Sequence, residues 1–480
     1  MEAPPHDPPQ EEHVGQEAGT ELDEEEEEYE DEQQASFDAL VQQIRDPKNG
    51  FDVRNRKYHL KTYESVFVGS EAVDWLLQKA SALAPAGSRE AAILLGEELR
   101  QQGVFAHVAE RDSPFQDANR FYRFSQRKRV VIVGGGFAGS KLAKKLQSKF
   151  DVTLIDNKPQ FVCWPSIPSC TCAPSHLDKV TSPHSKYLKC TFVEGTVSDI
   201  EQNLVVLESG DKVPFEYLAL CTGSRYNIML QSTDHIQVVN PLLCAAIPEH
   251  YEALAQAKTV AVIGGGPVGV EIAGEIAHYF PDKKLSIVSA TGLLERTCAG
   301  AQKNCQRFFE GFANVQLFLK DKVVSTEDPN YLLTSQGNKI EADIVFCCVG
   351  FSPNTDFLQH SSSSSSLLGT GCLTDRNLVR VEATLQVVGH PTIFALGDIT
   401  DIQEEKLAQN AEKHADVVAA NIKALETGKS LRSYRSSQRI LIVSLGPKNA
   451  LIVKGENVWV EGKLASKMKS LVEYKIMRDF

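Results

Sequence analysis

The chain has 480 residues, 42% of them apolar, and a formal net charge of −13 at pH 7. That length exceeds one hydrophobic core, so two or three domains are expected, of an intracellular enzyme rather than a secreted or fibrous protein. Residues 1–35 hold fifteen Asp and Glu and no Lys or Arg, which leaves the remainder near +2. A near-neutral body with no basic stripe argues against nucleic acid as the principal partner. Eleven cysteines, scattered and absent before Cys163, read as reduced thiols in a cytoplasmic compartment. No window reaches the roughly 18 uninterrupted apolar residues of a membrane span. The start MEAPPHDPPQ offers neither a signal nor a glycine at position 2 for myristoylation, so any membrane contact should be peripheral.

Residues 1–35 form an acidic tail too poor in apolar residues to offset ordering entropy, so disorder is expected there. A separate unit follows over 36–125. FDALVQQIRD has helical spacing, Ser70 is placed to cap a helix through EAVDWLLQKA, and residues 91–102 give another amphipathic helix ending at Gly103. Strand-like pieces follow at VFAHV and RFYRF. With Phe67, Gly69, Ser70, Ala72, Val73, Asp74, Trp75 and Leu76, this arrangement resembles a DEP domain. The resemblance implies a small α+β, winged-helix-like module with a β-hairpin arm that docks onto membranes or receptor tails. Arg54, Arg56, Lys57, His59 and Lys61 fall in that arm, where they can meet anionic headgroups.

The next segment, 128–254, opens with VVIVGGGFAGSKLA, in which Gly134, Gly136 and Gly139 follow a β-branched run and begin a small-residue helix. Glycine allows the tight turn and close backbone approach to a pyrophosphate, whose charge the first helix amides stabilise. The strand 152–155 then delivers Asp156, which can accept hydrogen bonds from a ribose diol. A second copy over 255–372 places Gly264, Gly266 and Gly269 in VAVIGGGPVGVEIA, but its second strand ends in Ser289 and Ala290. With no acid there, a 2′-phosphate is not repelled, and Arg296 lies near enough to partner it or to be a solvated surface arginine. Two dinucleotides are therefore expected, with NADH and NADPH both open for the second.

PTIFALGDIT begins the returning segment 373–430, which continues as a helix from about residue 407 to 424, and 431–480 closes the chain. Ser361 to Ser366 read as a flexible surface loop. This order resembles the flavoprotein reductases with two dinucleotide-binding domains, an α/β class in which an NAD(P)H fold is inserted in an FAD fold. The resemblance implies that Gly134, Gly136, Gly139 and Asp156 hold the ADP half of FAD and that Thr222 and Gly223 line it. It also implies that Gly397 lets the backbone come close while Asp398 hydrogen-bonds the ribityl chain.

Cysteine spacing separates the branches of that superfamily. A disulfide reductase needs two thiols beside the flavin. In FVCWPSIPSCTCAP, Cys163 and Cys170 are separated by six residues and Cys170 and Cys172 by one, and Pro165 and Pro168 disfavour the helix such a pair requires. Nor do Cys170, Cys172, His176 and His184 match a zinc spacing. Electrons must then leave the flavin for a diffusible acceptor. The closing stretch IVSLGPKNALIVKGENVWVEGKLASKMKSLVEYKIMRDF resembles that of the apoptosis-inducing-factor-like, ferroptosis-suppressor group of quinone reductases. That resemblance implies a quinone acceptor, a soluble redox protein or a signalling role being the alternatives. It also implies that Glu271 sits near nicotinamide and flavin, or serves as a helix first-turn acid. Lys406 would begin a helix facing the flavin, stabilising negative charge there or remaining a surface lysine. Lys463, Lys467, Lys469, Lys475 and Arg478 among Leu464, Met468, Leu471, Val472, Ile476 and Met477 read as a basic amphipathic element suited to a bilayer surface.

Overall fold

The computed structural model describes residues 36–480 except 38, 60, 80–87, 111–112, 126, 227–229, 326–327, 329, 360–366, 369 and 437–439. The acidic tail and the serine run at 361–366 therefore lie outside the described residues. The chain divides into two units, one of Met1–Arg127 with Ser148–Phe150, the other of Lys128–Gln147 with Asp151–Phe480.

In the first unit an antiparallel sheet runs in the order Arg54–Tyr58, Lys61–Val68, Phe121–Phe124, Phe105–His107. Helices Gly69–Lys79 and Arg89–Gln101 pack on it through Val73, Leu76 and Leu99, over an aromatic cluster that includes Phe51, Phe67, Phe105 and Tyr122. The rings of Phe67 and Phe105 meet edge to face, 5.1 Å apart at 90°. Ser70 is not the cap that the sequence suggests. The helix begins one residue earlier, and the amides of Gly69 and Ser70 donate to the carbonyls of Arg120 and Ala118. The following helix is capped through Ser88, whose hydroxyl accepts from the Ala91 amide. The hairpin arm carries less unpaired charge than its sequence implies, because Arg56 reaches both Asp52 and Glu71, at 3.0 and 2.5 Å.

The larger unit is built on two mainly parallel sheets. Parallel strands are covered on both faces, which is why VVIV and VAVI read as unbroken apolar runs. The first sheet runs Gln386–Val387, His390–Ala395, Tyr217–Leu220, Arg129–Val133, Asp151–Asp156, Thr191–Glu194. The second runs Gln237–Val239, Ile344–Cys347, Thr259–Ile263, Lys284–Ser289, Val315–Leu319. Its strands come from chain lying between the strands of the first, so one fold is inserted in the other. The outward and return crossings, Ser224–Tyr226 and Phe351–Pro353, pair antiparallel.

A closing three-stranded meander, Ile440–Ser444, Ala450–Lys454 and Asn457–Gly462, is followed by the helix Lys463–Asp479. The meander is continuous with the core of the second fold, to which Leu441, Val443, Leu445, Leu451 and Val453 belong. Close approach permits this. A Cβ on Gly274, in the helix Pro267–Tyr279, would stand 2.5 Å from the amide nitrogen of Gly446.

Candidate functional site

The first glycine loop closes on itself through backbone. Gly134 has φ +103°, and a Cβ there would meet the Cys221 carbonyl oxygen at 2.3 Å, while one on Gly139 would stand 1.8 Å from the Gly134 oxygen. Gly136 differs, since a Cβ there meets nothing within 4 Å. Two glycines thus let the turn pack, and the third leaves a cradle at the start of the helix Phe137–Leu146 open for an anion. Asp156 lies alongside, accepting from the Gly135 amide at 2.5 Å and the Lys158 amide at 2.9 Å. An open cradle next to a buried acceptor carboxylate fits the ADP half of FAD.

The second loop repeats this plan. Gly264 has φ +119°, Gly269 is pressed on the Gly264 oxygen, and Gly266 is open. In the place of Asp156 stands Ser289, whose hydroxyl donates to the Gly292 carbonyl at 3.1 Å. The strand end itself carries no acid, as its sequence shows, but the turn after it holds Glu295, which accepts from the Gly292 amide at 3.2 Å.

The Gly-Asp turn is held from behind by a set of side chains that sequence reading missed. His414, fully buried, accepts the Gly397 N–H at Nδ1, 3.0 Å away, and its Nε2 lies 3.0 Å from Glu404 Oε1. Tyr434 donates to the other Glu404 oxygen at 2.7 Å. Since Nδ1 accepts, the proton sits on Nε2 and points at Glu404. Burial pushes the imidazole down to about 4, so it is neutral at ordinary pH. In front of this support, Asp398 accepts from the Ser224 hydroxyl at 2.6 Å, and burial raises its carboxyl. The signal available in sequence was a histidine on the inner face of the helix after Gly397–Asp398.

Thr222 and Gly223 sit at the outward crossing. The Thr222 hydroxyl donates to the Asn354 carbonyl at 2.7 Å, which ties the outward crossing to the return one. Lys406 is not a free surface lysine. Its ammonium donates to the carbonyls of Thr400 and Ile402, at 2.8 and 3.2 Å, and burial lowers its affinity for a proton. Asp398 is within electrostatic reach. The helix that follows, Ala408–Thr427, runs beyond its expected end, to a left-handed Gly428.

Glu271 is no first-turn acid either, since it lies in the second turn of Pro267–Tyr279 and is buried. One carboxylate oxygen accepts from the Ser444 amide at 3.0 Å and from Lys469 at 2.6 Å. One turn on, Glu275 is 2% exposed, and burial pushes its carboxyl up to about 7. Tyr226, on the outward crossing, feels the charges of both Glu271 and Asp398. The two glycine folds, the Gly-Asp turn and the C-terminal helix therefore converge.

Near that convergence Cys163 and Cys170 flank Ser166, at 3.6 Å from its hydroxyl and 3.8 Å from its carbonyl. Both are buried free thiols, pushed up by desolvation to about 11 and about 12. Cys172 is buried and raised as well. Thiols so placed are poor nucleophiles. His176 is engaged elsewhere, 3.0 Å from Glu473.

Two family models match the chain: pyridine nucleotide-disulphide oxidoreductase over residues 128–415, and the domain found in Dishevelled, Egl-10 and Pleckstrin (DEP) over 50–124. Apoptosis-inducing factor homolog A of Dictyostelium discoideum is 31% identical over 367 residues, covering 70% of this chain and 87% of that protein. Ferroptosis suppressor protein 1 of Homo sapiens is 27% identical over 335 residues, covering 66% and 86%. Among solved structures, the sulfide:quinone oxidoreductase of Aquifex aeolicus superposes with a TM-score of 0.62 at 17% identity, over 73% of this chain and 92% of that one, a likeness of fold. The protein is an FAD-dependent oxidoreductase that uses NAD(P)H. With a family model matched over more than half its length, the chain belongs to the pyridine nucleotide-disulphide oxidoreductases and carries a DEP domain ahead of their fold.

Proposed function

We propose that this chain passes electrons from NAD(P)H through FAD to a quinone at a membrane surface, without an internal sulfur relay. The observation that carries the reading is the state of Cys163, Cys170 and Cys172. All three are buried, and desolvation holds them protonated. A dithiol relay needs a thiolate, so the electrons leave for an external acceptor.

FAD, when bound, supplies the redox chemistry, accepting a hydride and releasing two electrons. The chain's residues bind and orient. Gly134, Gly136, Gly139 and Asp156 hold the ADP half, and Thr222 and Gly223 line it. Asp398 on the Gly397 turn takes the ribityl chain. Gly264, Gly266 and Gly269 hold the nicotinamide nucleotide. Glu271, fixed by Lys469 and the Ser444 amide, sets the geometry for hydride transfer. Lys406 and the helix start behind it favour negative charge on the flavin side.

Membrane contact is assigned to the C-terminal helix, with the DEP arm as a second attachment. Leu464, Leu471 and Tyr474 are 60, 66 and 68% exposed on that helix, and Trp459 of the preceding strand is 59% exposed. Lys463, Lys467, Lys475 and Arg478 are exposed among them. Apolar side chains interleaved with lysines suit an anionic bilayer face, where a quinone with an isoprenoid tail resides.

The visible spectrum of the purified chain tests the reading. A flavin band should bleach with anaerobic NAD(P)H and return on adding a short-chain quinone. A colourless protein that takes up no FAD, or quinone turnover abolished by thiol alkylation while flavin bleaching persists, overturns it. For the membrane part, liposome flotation should weaken in a Leu464→Glu, Leu471→Glu chain and, to a smaller degree, in a Lys57→Glu, Lys61→Glu chain. Unchanged flotation in both assigns the contact elsewhere.

A further inference from the structure

Tyr226 ends the outward crossing strand, and its neighbours fix the face it uses. Side chains alternate along a strand, so Ser224 and Tyr226 share one face and Arg225 takes the other. Arg225 turns outward to Asn354 and Asp356, at 3.2 and 2.7 Å, whereas Ser224 turns inward to Asp398 at 2.6 Å. Tyr226 therefore points inward, on the side of the Gly-Asp turn.

The surroundings of the phenol come from both nucleotide folds. Burial raises its proton affinity, and the Cys348 thiol, the Glu271 carboxylate and the Asp398 carboxylate raise it further, in that order. Cys348 backs the second glycine loop, since a Cβ on Gly264 would meet its carbonyl oxygen at 2.4 Å and its Cβ at 3.3 Å. Glu271 leaves the same loop on the helix Pro267–Tyr279. The phenol thus stands where the reactive ends of two nucleotides meet, and the stronger influences on it come from the NAD(P)H fold.

Its hydroxyl is uncommitted. It stays protonated through the ordinary pH range, and among the described residues none hydrogen-bonds it. Nor is it sealed in packed protein, because Tyr226 is half-buried and its oxygen is not one of the enclosed polar atoms left without a partner. A donor flanked by Glu271 and Asp398 is ill suited to an anion and well suited to a neutral carbonyl. We propose that the Tyr226 hydroxyl donates a hydrogen bond to the carboxamide oxygen of NAD(P)H and so orients the nicotinamide ring. The inference rests on NAD(P)H entering the second fold with FAD in the first. Tyr226 is then a specificity residue for the nicotinamide, and Ser224 is a positioning residue that holds the strand face inward through Asp398.

The test is binding, read by quenching of flavin fluorescence on the full, FAD-loaded chain. The ligands are NAD⁺ or NADP⁺, whichever form the chain uses, and its thionicotinamide and 3-acetylpyridine analogues. The thioamide sulfur is a poor acceptor, and the acetyl group keeps the carbonyl while lacking the amide N–H. The wild-type chain should bind the thio analogue more weakly than the parent nucleotide. In Tyr226→Phe, affinity for the parent and for the acetyl analogue should fall about three- to tenfold, and discrimination against the thio analogue should vanish. Affinity for FAD and the melting temperature of the FAD-free chain should not change, since no protein group loses a partner. A folded Tyr226→Phe chain that binds the parent nucleotide as tightly as wild type, or weakens equally toward parent and thio analogue, overturns the inference. Weakened FAD affinity with nicotinamide discrimination intact assigns the hydroxyl to the ribityl chain and also overturns it. Should the variant fail to fold, the wild-type chain decides, and indifference between parent and thio analogue overturns the assignment. If the wild-type chain binds no FAD or no nicotinamide nucleotide, the cofactor reading fails and the inference with it.

Discussion

Lys469 Nζ lies 2.6 Å from Glu271 Oε1, joining the last helix of the chain to the helix that begins at the second glycine loop. The side chains are 15 and 7% exposed, and Lys469 also donates to the Ser444 hydroxyl at 2.7 Å. Removing one member of such a pair leaves the other buried and uncompensated. Lys469→Met should cost about 3–5 kcal/mol. The double variant with Glu271→Gln should recover most of that loss, a double-mutant cycle in urea being the measurement. Glu271→Gln alone should slow flavin bleaching by NAD(P)H in stopped flow.

Two glycines of the first loop have separable roles. Gly139→Ala places a methyl 1.8 Å from the Gly134 oxygen and should lower thermal stability sharply. Gly136 has φ −76° and open space around it, so Gly136→Ala should leave the melting temperature of the FAD-free chain nearly unchanged. It should nonetheless weaken FAD binding, because the methyl enters the cradle. Calorimetry on FAD-free and FAD-loaded protein separates the outcomes.

His414 links stability to acid. Its folded proton affinity, about 4, lies below the ordinary value of 6.5, so the unfolded chain binds a proton that the folded chain refuses. Its contribution is fully present above about pH 6.5 and is lost as the pH falls toward 4, by about 3 kcal/mol. His414→Gln should flatten that part of the profile, measured by denaturant unfolding at each pH. Loosening of the Gly397 turn in the same variant should show as faster FAD release.

Glu275 acts with the opposite sign. Burial raises it from 4.5 to about 7, so the folded chain holds a proton that the unfolded chain gives up. Stability from this residue is complete below about pH 4.5 and is lost as the pH rises through 7, by about 3 kcal/mol. Glu275→Gln should therefore stabilise the protein at pH 8 and change little at pH 4.5. Urea unfolding at the two pH values checks the difference.

Much of this architecture was legible in the chain. VVIVGGGFAG and VAVIGGGPVG carry strand, turn and helix within single windows, and Gly139 and Gly269 are set by contacts five residues away, although Gly134 and Gly264 also answer to the distant Cys221 and Cys348 carbonyls. Asp156 follows from the same local grammar, one strand on. The DEP unit was legible through EAVDWLL and the strands after it, although the assignment of Ser70 as a cap failed because its amide found a tertiary acceptor, the Ala118 carbonyl.

By itself the sequence determined the elements, the doubled nucleotide fold and the class of chemistry, since periodicity, glycine turns and cysteine spacing act over short stretches of chain. Only the tertiary structure decided which charges are committed. Glu271 meets Lys469 across 198 residues, Tyr434 reaches Glu404 across 30, and His184 is turned toward the Gly135 loop. The physical reason is that hydrogen-bond partnership and desolvation depend on distance in space. A pattern of residue types records what a side chain can donate or accept, and packing alone records to whom.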